Sequence, residues 1–260
     1  MMRLFLSYPK AGRTWVRFML NSYLCRRRGL EPVNVFRIEE ATDGSYPFQW
    51  THLTAAMLMK LPYWSMGCFD RRPLAGASCV LLVRDFYATL ASAWHQAVHR
   101  IRVFQGTPGE FLRSPRYGVI KLVTFYNLWT ELAPSLGRRE IISYDAMLDD
   151  PVDPLRRILA AFDIPGDDAL VEDVVAEASF ENMKRLGATP AYAGTVLAPA
   201  DPNNPDSAKV RVGGKSKYDQ LFSEADLAYI DRVVDDLLVE RNAPHFAACR
   251  ERRSAVGVSR

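Results

Sequence analysis

The chain has 260 residues, 48% hydrophobic and 24% charged, an ordinary globular composition with room for one large domain and a full core. Its 33 basic and 30 acidic residues leave a formal net charge of +3, too slight for the concentrated basic face that nucleic acid requires; a small anion is the better-matched partner. No apolar run reaches the roughly eighteen residues of a membrane span. Cys25, Cys68, Cys79 and Cys249 lie far apart without metal-ligand spacing and no signal peptide precedes the first strand, so a cytoplasmic protein with reduced thiols is expected.

Taken in order, Arg3 to Ser7 carries Leu4, Phe5 and Leu6 and reads as a short buried strand, ended where Pro9 cannot donate to a sheet ladder. Gly12 then permits a tight backbone. Trp15, Val16, Met19, Leu20, Tyr23 and Leu24 recur at helical spacing, closed by Arg26 to Arg28 and Gly29. A helix that opens directly after a strand points unpaired N–H groups above the sheet, which makes an anion site, and Lys10 can add a point charge. The usual nucleotide loop, two glycines four residues apart followed by Lys-Ser/Thr, is absent. The alternative for this stretch alone is a generic strand-to-helix turn with an incidental lysine.

Val33, Val35 and Phe36 suggest an extended piece, and Thr42-Asp43-Gly44-Ser45 a loop placed to lie over a substrate. Trp50-Thr51-His52-Leu53 leads into an expected short helix, Ala55 to Leu61, stopped near Pro62. His52 at its N-terminus would feel the positive end of the dipole and stay neutral, as a general base must, although a capping or core histidine would look the same. Pro62 to Ala77 is loop, and Ser78 to Val83 a second buried strand with Arg84 at its C-terminal end. Because open α/β sheets bind ligands beyond those ends, Arg84 falls in the same crevice as Lys10. The following helix carries Leu90, Ala91, Trp94, Ala97, Val98 and Ile101, and Ser92 lies about two turns in, so that Ser92 and Arg84 could reach one phosphate. Arg84 could equally pair with Asp85. His95 reads as packing.

Phe111 to Leu136 reads as one helix, Glu140 to Asp145 as a third strand, and Pro154 to Phe162 and Asp168 to Ala178 as further helices. Gly187 to Ala208 is Pro-rich, a lid or a disordered loop. Gly214-Lys215-Ser216 mimics the tail of an ATP loop, but Lys209 stands where its first glycine should be. Ser223-x-x-Asp226 caps a terminal helix from Leu227 to Val239. The organisation expected is a single α/β domain over residues 1–242, with 187–208 its mobile loop and 243–260 a basic tail, built on a parallel sheet of about four or five strands flanked by helices.

Several segments in this order resemble the cytosolic-type PAPS-dependent sulfotransferases, over most of the chain from Leu4 to about Phe222. Tyr8-Pro9-Lys10-Ala11-Gly12-Arg13-Thr14-Trp15 is similar to the family's Tyr-Pro-Lys-Ser-Gly-Thr-Thr-Trp, and Trp50-Thr51-His52-Leu53 to its Lys-Thr-His-Leu. Arg84 and Ser92 keep the eight-position spacing of the family's 3′-phosphate arginine and serine. Tyr144 with Met147 resembles Tyr-Glu-Asp-Met, and Ser179-Phe180-Glu181-Asn182-Met183-Lys184 repeats Ser-Phe-x-x-Met-Lys, with Ala178 in place of a preceding threonine. Arg211-Val212-Gly213 through Tyr218, Phe222 and Ser223 resembles Arg-Lys-Gly-x-x-Gly-Asp-Trp-Lys-x-x-Phe-Thr.

The resemblance implies the sulfotransferase fold, a P-loop-like parallel sheet flanked by helices, and 3′-phosphoadenosine 5′-phosphosulfate (PAPS) as sulfuryl donor without a metal. Lys10, Ala11, Gly12, Arg13, Thr14 and Trp15 would then hold the 5′ end, and Arg84, Ser92, Arg211, Val212 and Gly213 the 3′-phosphate. Tyr144 and Phe180 would lie at the nucleoside, with His52 as base and Lys10 stabilising the leaving group. The implied acceptor is a small-molecule hydroxyl, such as a secondary metabolite's, and a homo-oligomer is compatible with this reading. The rival readings are a P-loop kinase using Mg-ATP and a nucleotide-binding module without catalysis.

Overall fold

The computed structural model describes residues 2–30, 34–37, 48–201 and 218–247. Four strands, β1 (Arg3–Ser7), β2 (Phe48–Thr51), β3 (Ser78–Val83) and β4 (Arg139–Ser143), form one parallel sheet in the order β2-β1-β3-β4. Side chains alternate across it. Leu4 and Leu6 of β1 join Cys79, Leu81 and Val83 of β3 in one core, while Phe5, Val80 and Leu82 join the other. Helices therefore cover both faces, and β3, buried throughout, reads as an unbroken apolar run for that reason. The first core packs against α2 (Phe86–His95), α4 (Val119–Leu132) and α9 (Glu224–Leu237), and the second against α1 (Arg13–Arg27), α6 (Val152–Ala161) and α7 (Asp168–Glu177). Among the described residues no helix is long and apolar enough to cross a membrane.

Several elements differ from their sequence-based expectation. Phe48–Thr51, read only as the approach to a helix, is an edge strand paired with β1 in the register Arg3↔Phe48 to Leu6↔Thr51. Four residues are too few to show a period, and pairing decides. The helix expected from Ala55 to Leu61 is two three-residue 3₁₀ turns, Leu53–Ala55 and Met57–Met59, separated by extended Ala56. Val35 and Phe36, expected extended, also lie in a 3₁₀ turn, Val35–Arg37. The long helix from Phe111 is broken into α3 (Pro108–Arg113) and α4, because Pro115 interrupts it and the chain then doubles back so tightly that a Cβ at Gly118 would lie 2.1 Å from the Leu112 carbonyl oxygen. Tyr144 leaves the third predicted strand and opens α5 (Tyr144–Asp149), with the Ser143 hydroxyl accepting from the Ala146 N–H.

At the C-terminal end, Ser223 and Asp226 form the expected capping box, and Asp226 also accepts from Arg113 at 2.7 Å, tying α9 to α3. Past α9 the chain stays packed: Phe246 stacks on Phe86 at 4.1 Å, so the folded unit continues beyond the expected boundary at 242. The described part of the Pro-rich loop after α8 (Phe180–Gly187) also folds inward, burying Tyr192 and Leu197. Arg100, in a π-helical turn that extends α2, donates to the carbonyls of Val196 and Ala198.

One buried charge gives a measurable pH dependence. Lys121 on α4 is 1% exposed and donates from Nζ to the Leu61 carbonyl at 2.9 Å. Burial lowers its pKa from 10.5 to about 8. Between those values the unfolded chain holds a proton that the folded chain has lost, so stability contributed by this group is present above 10.5 and is lost as pH falls through about 8. Relative to Lys121→Met, the wild type should gain about 3 kcal/mol from pH 7.5 to pH 10.5, read by urea unfolding of both proteins. Parallel pH profiles for the two would mean that the ammonium is solvated.

Candidate active site

From β1 the chain passes to β2 on one side and then to β3 on the other, so the loops after β1 and β3 diverge and leave a crevice at the C-terminal edge. Each strand sends one predicted site residue to that edge. Lys10 follows β1 after a short turn, and His52, Arg84 and Tyr144 directly follow β2, β3 and β4.

The turn after β1 adopts unusual backbone. Lys10 and Gly12 have φ of 76° and 95°, the left-handed region, which costs a non-glycine residue about 1–2 kcal/mol. Gly12 is the N-cap of α1; its carbonyl accepts from the Trp15 N–H at 3.0 Å, no side chain caps the helix, and the N–H groups of Arg13 and Thr14 at the positive end of its dipole precede the first intrahelical bond. Above Gly12 lies the Tyr144 ring, whose Cδ2 would be 2.2 Å from an added Cβ. Trp15 meets that ring edge-on at 5.9 Å and donates from Nε1 to the Ala178 carbonyl at 2.8 Å, joining α1 to the residues before α8.

Arg84 closes this assembly. Its Nη1 donates to the Lys10 carbonyl at 2.8 Å, and its guanidinium carbon lies 4.4 Å from the Tyr144 ring centroid. Its buried Nε has no hydrogen-bond partner among the described residues. Asp85, the pairing partner that the sequence also allowed, instead caps α2 by accepting from the Ala88 N–H.

Arg13, where the resemblance expects a threonine, is half-buried at the start of α1. Desolvation, and then the like charge of Arg17, push its pKa down to about 10. Among the described residues no carboxylate meets Arg13. Two cations four residues apart at the positive end of a helix disfavour each other, and an anion in the crevice would relieve them. Arg17 was not singled out from the sequence, although its spacing from Arg13 was the available signal. It donates to the Phe36 carbonyl and lies 6.0 Å from the Trp50 ring centroid, while Trp50 itself stacks on Phe5 at 3.9 Å. Where the family pattern has a lysine on the second strand, this chain therefore packs an indole and brings an arginine over it from α1.

His52 follows β2 beside the end of β1. Its Nδ1 is 2.6 Å from the Ser7 carbonyl oxygen and 3.3 Å from the Ser7 hydroxyl. A carbonyl only accepts, so Nδ1 carries the proton and Nε2 is the basic nitrogen of the neutral ring. The expected helix dipole is not there to assist, since His52 caps a three-residue turn. Its tautomer is set by the strand neighbour instead.

Of the other predicted residues, Ala11 is buried, Thr14 is half-buried in the first turn of α1, Ser92 is half-buried on α2 and Phe180 is half-buried at the start of α8. Arg211, Val212 and Gly213 lie outside the described residues. The described end of their segment is held close to α2, where Tyr218 stacks on Tyr87 at 4.9 Å and the Tyr87 hydroxyl donates to Asp231. Cys25 and Cys79 are buried, and desolvation raises their pKa values to about 11 and about 12.

No family model and no curated protein matches the sequence. Solved structures do match its fold. A mouse sulfotransferase, SULT7A1, complexed with PAP is similar with a TM-score of 0.63 and 16% identity, over 98% of this chain and 88% of that one. Retinol dehydratase with androsterone and the inactive cofactor PAP gives 0.60 and 15%, over 92% and 82% of the two chains. The same enzyme with retinol and PAP gives 0.59 and 16%, over 92% and 83%. The chain thus has the sulfotransferase fold, a single α/β domain with a parallel sheet between helices.

Proposed function

We propose that this chain is a PAPS-dependent sulfotransferase that moves a sulfuryl group to the hydroxyl of a small molecule. The observation that carries the reading is the meeting of Lys10, Arg84 and Tyr144 around the uncapped, arginine-flanked start of α1, with His52 on the neighbouring strand end. The site suits a nucleotide with two anionic groups on three grounds: an Nε of Arg84 without a hydrogen-bond partner among the described residues, the desolvated Arg13 beside Arg17, and the left-handed Gly12 backbone at the start of α1.

When bound, the donor supplies an activated sulfuryl group and a bisphosphate leaving group. Lys10 and the backbone from Ala11 to Trp15 would hold its 5′ end, with Arg13 adding charge. Arg84 and Ser92, with Arg211, Val212 and Gly213, would hold the 3′-phosphate and select against nucleotides that lack it. Tyr144 and Phe180 would flank the base. Nε2 of His52 accepts the proton of the acceptor hydroxyl as that oxygen attacks, and Nδ1 keeps its own proton on the Ser7 carbonyl. Lys10 stabilises negative charge as it grows on the leaving oxygen. The proposal places this chemistry in the cytoplasm, with a small metabolite as acceptor.

Calorimetric titration with PAP, AMP and Mg-ATP tests the reading. PAP should bind at least tenfold more tightly than AMP, and Arg84→Ala should weaken PAP by about 10- to 100-fold, the effect of losing a charge-assisted pair. Preference for Mg-ATP would put a kinase in its place. Tight PAP binding without turnover of PAPS, across hydroxyl acceptors, would leave a non-catalytic nucleotide module.

A further inference from the structure

The two turns after His52 carry the chain to an exposed corner, where Leu58, Met59 and Trp64 are 70%, 50% and 65% exposed. Large apolar side chains exposed together mark a contact surface. At this corner opens a cavity of about 380 Å³ between Lys60 to Trp64, Val103 to Gln105 and Ser114 to Tyr117. Its volume is near the lower end of small-molecule sites and suits an occupant of one or two rings.

The cavity is built in advance. Phe104 meets Phe111 and Tyr117 edge-on at 5.3 and 5.9 Å, and the Tyr117 hydroxyl donates to the Val103 carbonyl at 3.3 Å. Two walls are joined by the Tyr63 N–H on the Pro115 carbonyl at 2.9 Å, and Lys121 pins Leu61 from behind. Its Tyr117 wall is held from the core side as well, where the buried Tyr8 hydroxyl donates to the Tyr117 carbonyl at 3.2 Å.

Its polar character has one sign. Lys60 and Arg116 are exposed, and no acidic residue lines the cavity. Neither side chain has an ion pair among the described residues. An aromatic floor with two unpaired cations at the rim favours a flat apolar molecule bearing an anion over its neutral counterpart, and disfavours a cation. We propose that this cavity binds a small aromatic molecule carrying a carboxylate or similar anion, its ring against Phe104 and Trp64 and its charge between Lys60 and Arg116. The binding does not depend on the sulfuryl-transfer reading; on that reading, a hydroxylated aromatic acid becomes the acceptor to assay.

Calorimetry with 6-hydroxy-2-naphthoate and 2-naphthol tests the cavity, with PAP titrated in parallel on every protein. The carboxylate should bind about tenfold more tightly than the neutral naphthol, the sum of two exposed cation contacts of about 0.7 kcal/mol each. The double variant Lys60→Glu, Arg116→Glu should erase or reverse that preference while PAP affinity stays unchanged, and Trp64→Ala should weaken both naphthalenes. Both substituted charges are on the surface, so circular dichroism melts should superimpose on the wild type. Equal affinity for the two naphthalenes, or a preference untouched by charge reversal, overturns the proposal. Carboxylate preference without PAP binding would uphold the cavity and remove its occupant's role as a sulfuryl acceptor, whereas PAP binding without the preference would overturn the cavity and leave the sulfuryl-transfer reading standing.

Discussion

His52→Ala should lower turnover by about 10²- to 10⁴-fold, the usual worth of a positioned general base, while PAP affinity changes less than about twofold. The separation follows from the geometry. His52 reaches the sheet edge from β2, whereas the contacts that organise the proposed nucleotide cradle come from α1, β3 and β4. Nδ1 is held on the Ser7 carbonyl, so only Nε2 can take a proton in the neutral ring. The rate should accordingly rise with pH until the imidazole is neutral and then level off, and this limb should vanish in the variant. Single-turnover assays with PAPS, paired with calorimetry, separate the two effects. Near-native turnover in His52→Ala would remove the histidine from the chemistry and leave it a structural link between β2 and β1.

Gly12→Ala should abolish tight PAP binding, by more than about 100-fold, and destabilise the fold by about 3 kcal/mol or more. Two independent costs combine. The backbone at φ 95° is strained for any residue with a Cβ, and that Cβ would lie 2.2 and 2.9 Å from two carbons of the Tyr144 ring. The ring is hemmed in, with Arg84 over its face at 4.4 Å and Trp15 at its edge. Relief must therefore come from moving the loop after β1 itself. Tyr144→Ala added to Gly12→Ala should recover the steric part of the stability and leave the backbone part, a coupling that a double-mutant cycle of thermal melts will show. A Gly12→Ala protein that binds PAP like the wild type would mean that this loop does not cradle the nucleotide.

Much of the site was legible because its features are contiguous. Tyr8 to Trp15 encodes a strand end, a tight turn and a helix start within one stretch, and all three are present. Arg84 was placed correctly at the end of β3 because a fully buried strand announces itself as an apolar run. The capping box at Ser223 and Asp226 is likewise a local hydrogen-bond pattern. Where the reading of elements failed, the deciding contacts were remote. Nothing in Phe48 to Thr51 distinguishes an edge strand from a loop until β1 offers it a partner. The same holds for His52, whose tautomer depends on a carbonyl 45 positions away rather than on a helix that follows it.

By itself, then, the sequence determined the α/β class, the strand-turn-helix at Lys10 to Trp15 and the order of the candidate residues along the chain, since backbone preferences and apolar periods act over a few neighbours. Only the tertiary structure decided that Arg84 holds the Lys10 carbonyl, that Tyr144 covers Gly12, that Arg17 lies over Trp50 and that Lys60 and Arg116 rim one cavity. Those pairings depend on which strands become neighbours when both faces of the sheet are buried, and that choice is settled by the packing of the whole core.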